Sequence, residues 1–454
     1  MISTILVPIG IIIFLKLNKF YQFLVLSLSA LLPFSFGKFM SIPSLFFLEW
    51  LTVVTFLMLI NELVPAYRVE KKLKIIKFKG IGIFIFAILI LITWTIVSFV
   101  NYEILFQSFR NTGKTGTTRI YFNIFNNILL FFTTIIFVVV YFEKIDFEKF
   151  FRILLTISLM LGVLRIFSHF LDFQIPLLSG AFSYGGEFGG RAEKAEYGGT
   201  AFRLGGLSEV VILGISSFFA LYLFKKKVNF LALILLLLFL FLSGGRTVMI
   251  GAAFSIIIFS FLFLPKNFIY IIFAGGLFFI LASIFLPDSF LQGQTGRLTK
   301  LNAGNFMGQD ASRGWKWMFY LDNFSKNPFW GRGISVYQEF VLPTDITSPE
   351  FVKYGLIAGG HGSYFSLLSI FGIGGITYFI IMLFGGIYLS FRKIKQHLNL
   401  NPGKTAIAVF TFMLLLIKAF DFITGSNGLD VPILFYIVGL ITSLTVLQNR
   451  KDIK

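Results

Sequence analysis

The stretch Phe230–Leu264, FLALILLLLFLFLSGGRTVMIGAAFSIIIFSFLFL, carries a single charged residue, Arg246. Two apolar runs, Phe230 to Leu242 and Val248 to Leu264, flank the short polar link Ser243-Gly244-Gly245-Arg246-Thr247. Neither run alternates apolar with polar residues, and an uninterrupted apolar segment that meets lipid must satisfy its backbone within itself, which a helix does. The stretch is therefore read as two membrane helices joined by a tight turn.

The same signal repeats along the chain. A protein of 454 residues with 57% hydrophobic residues, 13% charged residues and mean hydropathy +0.86 has too few polar groups to cover a water-soluble surface. A spanning helix takes about 20 apolar residues. Candidate segments lie at Ile2–Leu15, Tyr21–Phe36, Ile42–Leu63, Ile81–Val100, Ile120–Tyr141, Phe151–Leu171, Leu207–Phe224, Phe230–Leu242, Val248–Leu264, Phe268–Leu286, Tyr364–Leu389, Ala406–Phe420 and Val431–Leu447. The expected fold is an all-α polytopic membrane protein with 12 or 13 transmembrane helices. Ile2–Leu15 decides between the two counts, because it is short and contains Pro8; no A-x-A-like cleavage site follows it, so it is expected to be retained. Three regions result: an N-terminal transmembrane bundle over residues 1–286, which includes a loop at 172–206; a large loop with short helices over 287–360; and C-terminal transmembrane helices over 361–454.

Lysine and arginine set the orientation. When connections are assigned alternately to the two sides, 22 of the 39 basic residues fall on one side, in short links such as Lys71–Lys79, Lys225–Lys227 and Arg392–Lys395. That side is read as cytoplasmic. Arg165 and Lys418 fall inside hydrophobic segments. The loops Asn101–Arg119, Asp172–Gly206 and Pro287–Gly360 then face outward. Hence the net charge of +18 reflects this bias and contact with anionic membrane lipids, and nucleic acid is not an expected partner because no basic soluble domain exists.

Several chemistries have no visible home. The chain has no cysteine, so it has no disulfide, thiolate metal site or cysteine nucleophile. His169, His361 and His397 are scattered rather than at metal-ligand spacing, and no GxxxxGK[ST] loop is present. No metal and no cofactor is expected. No internal repeat is visible, which argues against transporter folds built from related halves.

The polar material concentrates in the outward loops. Asp172–Gly206 is rich in glycine and carries Arg191, Glu193, Lys194 and Glu196, the composition of a flexible segment that orders around a ligand. In the large loop, Ser312 can cap a short helix with Trp315, Met318 and Phe319 on one face. Asn327-Pro328 should end that helix, with Gly331-Arg332-Gly333 following as a turn.

Four positions stand out, each with a plain structural reading beside the functional one. Arg203, where loop meets membrane, is either a snorkelling interfacial arginine or, with Gly205 and Gly206 after it, a cation beside a helix start open to an anion. Arg246 is either an interfacial turn residue or a bidentate phosphate partner with a hydroxyl on either side. Arg313, in the first turn of the loop helix, opposes the helix dipole and so does not stabilise that helix; a solvated surface role and a ligand role stand level. His361, in Gly359-Gly360-His361-Gly362-Ser363-Tyr364, is either an ordinary interfacial histidine or an unshielded general base, since imidazole accepts a proton near neutral pH.

Taken together, Arg203-Leu-Gly-Gly-Leu, Leu-Ser-Gly-Gly-Arg246-Thr, Ser-Arg313-Gly-Trp, Asn327-Pro-Phe-Trp-Gly-Arg-Gly333, His361-Gly-Ser-Tyr364 and Phe371-Gly-Ile-Gly-Gly375 resemble the O-antigen polymerase and O-antigen ligase family in order and topological placement. The resemblance covers roughly Arg203 to Tyr378. One departure is Gly362, since asparagine commonly follows the histidine in this family. The resemblance implies a metal-independent membrane glycosyltransferase acting on undecaprenyl-diphosphate-linked oligosaccharides, donor and acceptor, on the periplasmic face. In that role Arg203, Arg246 and Arg313 would hold the diphosphate, His361 would deprotonate the attacking sugar hydroxyl, and Tyr364 would contact sugar, with a chain-length regulator as a candidate partner. A polymerase of surface polysaccharide is the first reading. Alternatives are a ligase that transfers the glycan to a lipid or protein acceptor, and, from a different class, a polysaccharide or lipid transporter, for which intramembrane charges such as Arg165 and Lys418 would be the signature.

Overall fold

The structure, a computed structural model, describes residues 2–32, 41–42, 45–70, 81–101, 117–170, 207–225, 228–243, 246–269, 273, 275–276, 311–333, 362–398, 400–424 and 432–451. In chain order the helices of three turns or more are α1 Ile2–Lys16, α2 Lys19–Leu31, α3 Phe47–Glu70, α4 Gly82–Asn101, α5 Thr117–Tyr141, α6 Phe147–Phe170, α7 Leu207–Lys225, α8 Phe230–Ser243, α9 Arg246–Phe263, α10 Ala311–Lys326, α11 Ser363–His397, α12 Pro402–Thr424 and α13 Pro432–Lys451. Extended structure among the described residues is limited to a two-residue antiparallel pairing of Ser41–Ile42 with Leu45–Phe46. The fold is thus all-α and polytopic. Every helix except α10 coincides with one of the apolar segments, and most of Phe268–Leu286 lies outside the described residues. Among the described residues six helices are long and apolar enough to cross a membrane, and four shorter apolar helices accompany them.

Two compact units are formed, one from Met1–Leu51, Val140–Leu301 and Leu389–Phe420, the other from Thr52–Val139, Asn302–Tyr388 and Asp421–Lys454. In the first, α6, α7 and α8 pack closely because small residues sit where they cross. A methyl group on Gly214 would stand 2.5 Å from the Leu236 side chain and 2.8 Å from Ser158 Cβ, and Gly162 lies directly under the Phe239 ring. Lipid gives no hydrophobic drive for helix association, so close backbone approach at such residues supplies the packing contacts instead. Intramembrane hydroxyls are satisfied locally: Ser216 Oγ donates to the Ile212 carbonyl at 2.9 Å and Ser255 Oγ to Gly251 at 2.6 Å.

One end of this unit gathers three basic connections. Lys19 lies 4.7 Å from the Tyr141 ring centroid, Lys149 lies 5.1 Å from Phe20, and Lys404 lies 5.9 Å from Phe142. The links α1–α2, α5–α6 and α11–α12 therefore share an end, as alternate assignment of the basic residues requires. Helix starts here are capped by the expected side chains: Asn18 Oδ1 accepts from Tyr21 N, Asp146 Oδ1 from Lys149 N and Asn401 Oδ1 from Lys404 N, at 3.0–3.1 Å.

In the second unit α13 lies on α5, with Gly439 2.9 Å (measured from a methyl placed there) from the Phe131 carbonyl oxygen. Helix α11 lies on α4, where the Trp94 indole covers Gly374 so closely that no side chain fits. These contacts fix the scaffold that carries the loop helix α10.

Candidate functional site

Helix α10 presents Trp317, Tyr320, Asn323 and Phe324 to the unit and Leu321, Asp322, Ser325 and Lys326 outward, with an Asp322–Lys326 ion pair of 2.6 Å on the outer side. It begins at Ala311, so Ser312 is inside the helix rather than its cap, and the backbone of Arg313 is in the first turn. The side chains of Trp315, Met318 and Phe319 lie outside the described residues. Burial pushes the Tyr320 phenol up to about 12. Asn327-Pro328 ends the helix as expected, since the residue before proline is disfavoured in helical backbone.

The turn that follows is built into a break in α11. Gly372 has φ 55° and ψ −142°, which divides α11 into a half-helix ending near Phe371 and a longer helix beyond. A break leaves carbonyls on one side and an amide on the other without helical partners. The turn supplies both: Arg332 N donates to Ser369 O and Gly333 N to Ile370 O, each at 2.8 Å, while Ile373 N donates to Pro328 O at 2.9 Å. Any side chain at Gly372 would meet the Pro328 and Phe329 carbonyl oxygens, so only glycine fits both the conformation and the space. Trp94 of α4 completes the clamp, donating Nε1–H to Phe329 O at 3.0 Å and lying 4.9 Å from the Trp330 ring.

Two side chains fix the geometry from inside. Arg332 Nη1 donates to Asn323 Oδ1 at 2.8 Å, and Asn323 is only 1% exposed. The Asn323 amide nitrogen is buried with no partner among the described residues. Sequence reasoning singled out neither Asn323 nor Trp317; the available signal was a polar residue one turn beyond Tyr320 on a face that is otherwise apolar.

The half-helix starts at Ser363, one residue after Gly362 and two after His361. Trp317 of α10 stacks on Phe365 with centroids 4.9 Å apart and planes at 26°. Tyr364, half-buried, meets Phe379 edge-on at 5.1 Å, and Phe379 meets Phe422 at 5.2 Å. So the short helix carrying Tyr364 is held at its start by Trp317 and at its end by the Asn327–Gly333 turn. His361 and Arg203 lie outside the described residues.

In the first unit, the backbone of Arg246 opens α9, with α8 ending at Ser243. Gly251, one turn and a half further on, packs against Ile417 and Phe420 of α12. The buried Lys418 faces Glu209, in the first turn of α7, at 4.0 Å. A lysine buried at a helix–helix contact needs such a partner, and the sequence reading, which set Lys418 down as an intramembrane charge, did not supply it.

The protein these features define is a polytopic α-helical membrane protein whose glycine-rich and cationic motifs sit where loops enter helices. Residues 231–380, about a third of the chain, match the family model described as O-antigen ligase. No curated protein matches the chain.

Proposed function

We propose that the protein is a polymerase of surface polysaccharide, joining undecaprenyl-diphosphate-linked repeat units at the periplasmic face of a bacterial inner membrane. The observation that carries the glycan-transfer part of this reading, which polymerase and ligase share, is the family match over residues 231–380, which encloses Arg246, Arg313, His361 and Tyr364. His361 takes the proton from the acceptor hydroxyl as its oxygen bonds to the anomeric carbon of the donor. The bond from that carbon to phosphate breaks, and the lipid diphosphate leaves with the electron pair. Arg203, Arg246 and Arg313 stabilise the departing diphosphate, whose charge is greatest in the transition state. Tyr364 contacts sugar beside the base.

The two-sided clamp on the half-helix supports this assignment in a specific way. General-base catalysis requires the base to be held within hydrogen-bond reach of the hydroxyl. The clamp fixes Ser363 and Tyr364, which follow His361 in the chain.

A ligase reading rests on the family model's own description, O-antigen ligase. It uses the same bond changes with a different acceptor. The two are separated by deleting the gene in its host and resolving lipid-linked and surface glycans on a gel. Single repeat units in place of a ladder identify a polymerase. Full-length polymer stranded on its lipid carrier identifies a ligase, and an unchanged profile contradicts both.

A further inference from the structure

The turn Asn327–Gly333 carries two large aromatic side chains that point away from the protein, Phe329 at 54% and Trp330 at 42% exposure. They are not loosely held. Phe329 and Trp330 meet edge-on at 4.8 Å, both lie against Trp94, and the backbone on either side of them, at Pro328, Arg332 and Gly333, is bonded into the break of α11. A rigid aromatic pair held outward is a surface made for something other than water.

Depth along two helices indicates what that is. The run Ile373–Phe391 carries no charge and ends at Arg392, on the densely basic side. About 20 residues span the hydrocarbon core, so Gly372, which the turn grips, falls at the opposite edge of that core. Helix α4 has no charged residue along its length, and Trp94 lies seven residues before its last residue, Asn101. At 1.5 Å per residue that is about 10 Å below the helix end. The two counts bracket the turn between the outer hydrocarbon boundary and a short distance inside it. The exposed surface also continues in kind: Ile373, beside the turn, is 51% exposed, and Ile380 and Phe384 follow it on the same face of α11.

From this geometry we infer that Phe329 and Trp330 are inserted into the outer edge of the bilayer, so that the large loop is not wholly extramembrane but is stapled to lipid by a re-entrant turn. Two physical features fit such an element. Irregular backbone at membrane depth must have its polar groups bonded within the protein, and Arg332 N, Gly333 N, Pro328 O and Phe329 O all are. Aromatic rings with one polar edge prefer the boundary between headgroups and acyl chains. Next to the turn, the outer face of α10 ends in Lys326, whose ammonium suits anionic headgroups. This inference is independent of the glycosyltransferase reading.

The natural absence of cysteine allows a direct test. Nitroxide labels are attached to the single-cysteine variants Phe329→Cys, Trp330→Cys and Lys326→Cys of the full chain in lipid bilayers, and their collision rates with oxygen and with a water-soluble nickel chelate are compared. Labels at 329 and 330 are expected to collide more with oxygen than with nickel, and the label at 326 the reverse. Nickel access exceeding oxygen access at 329 and 330 would place the turn in water, as a platform for a soluble ligand such as a sugar. Low access to both reagents would mean that another protein surface covers it; either result overturns the inference. Trp330→Phe, which conserves the packing, gives a second measurement: the fluorescence lost on substitution should be the fraction quenched by lipids brominated near the headgroup. If that fraction is instead quenched by aqueous iodide, the turn is not in the bilayer.

Discussion

The Nε1 edge of Trp317 occupies the space into which a side chain at position 362 would project. A methyl group on Gly362 would stand 2.7 Å from that nitrogen and 2.9 Å from the Ile423 carbonyl oxygen, and Gly362 has φ 93°. The residue next to His361 is therefore glycine for a stated reason, and the asparagine common in the family has no room here. Gly362→Ala is expected to cost about 1–3 kcal/mol from backbone strain alone, plus the displacement of Trp317. Trp317→Ala removes the stack on Phe365. Because the two changes share one contact, the double variant should lose less than the sum of the single losses. Thermal unfolding of the purified variants in detergent checks this, and strict additivity would contradict it.

The break at Gly372 should be as sensitive. Gly372→Ala drives a methyl group into the Pro328 and Phe329 carbonyls, so the turn must leave the helix and both sets of capping bonds must open. A loss of at least about 2 kcal/mol is expected, together with loss of the polymer ladder in cells. Gly385→Ala in the same helix is the control, since a methyl group there meets the Phe84 ring at an easily relieved 3.3 Å. Equal effects at 372 and 385 would contradict the clamp.

Glu209 and Lys418 should behave as a coupled pair. Removing either partner alone leaves a charge in a poorly solvated place. Because Glu209 is about one-third exposed and the pair is 4.0 Å apart, a cost of about 1–2 kcal/mol per single substitution is expected. Glu209→Gln with Lys418→Met should recover most of it. A double variant as unstable as the sum of the singles would show that the two do not interact.

Tyr320 predicts a specific alkaline weakness. Its phenol is raised from 10.0 to about 12 by burial, so the fold favours the neutral form. The contribution is complete below the unfolded value of 10 and is lost as pH rises through 12, by about 3 kcal/mol in all. Across that window wild type should lose more stability than Tyr320→Phe. Parallel curves would contradict the assignment.

The helices were legible because lipid leaves a chain few options: Phe230–Leu242 was found at Phe230–Ser243 and Ile81–Val100 at Gly82–Asn101. The two-part character of α11 was not. Its sequence offers Gly372, Gly374, Gly375, Gly385 and Gly386, and only the docking of a turn forty residues earlier selects Gly372 as the break. Likewise the motif Asn327–Gly333 was visible as a turn, but not that Arg332 would be anchored by Asn323 or that Trp94 would close over it, because both depend on pairing across the fold. Ser312 was misplaced by a residue or two, an ordinary displacement of a helix start. Of the candidate residues, Tyr364 is fixed with its neighbours and the backbones of Arg246 and Arg313 are placed at helix starts; the roles proposed for Arg246, Arg313, His361 and Tyr364 rest on the family match and on chemistry, and that of Arg203 on the sequence resemblance and chemistry.

The proposed reaction is transfer of glycan from a lipid diphosphate with His361 as base. The most direct measurement uses the purified chain in bilayers with undecaprenyl-diphosphate-linked repeat units, following glycan length and released lipid diphosphate together. Wild type is expected to give a ladder with one lipid diphosphate released per bond, and His361→Ala, provided that it melts like wild type, to give neither. Absence of both products with wild type, or an undiminished ladder with His361→Ala, would contradict it.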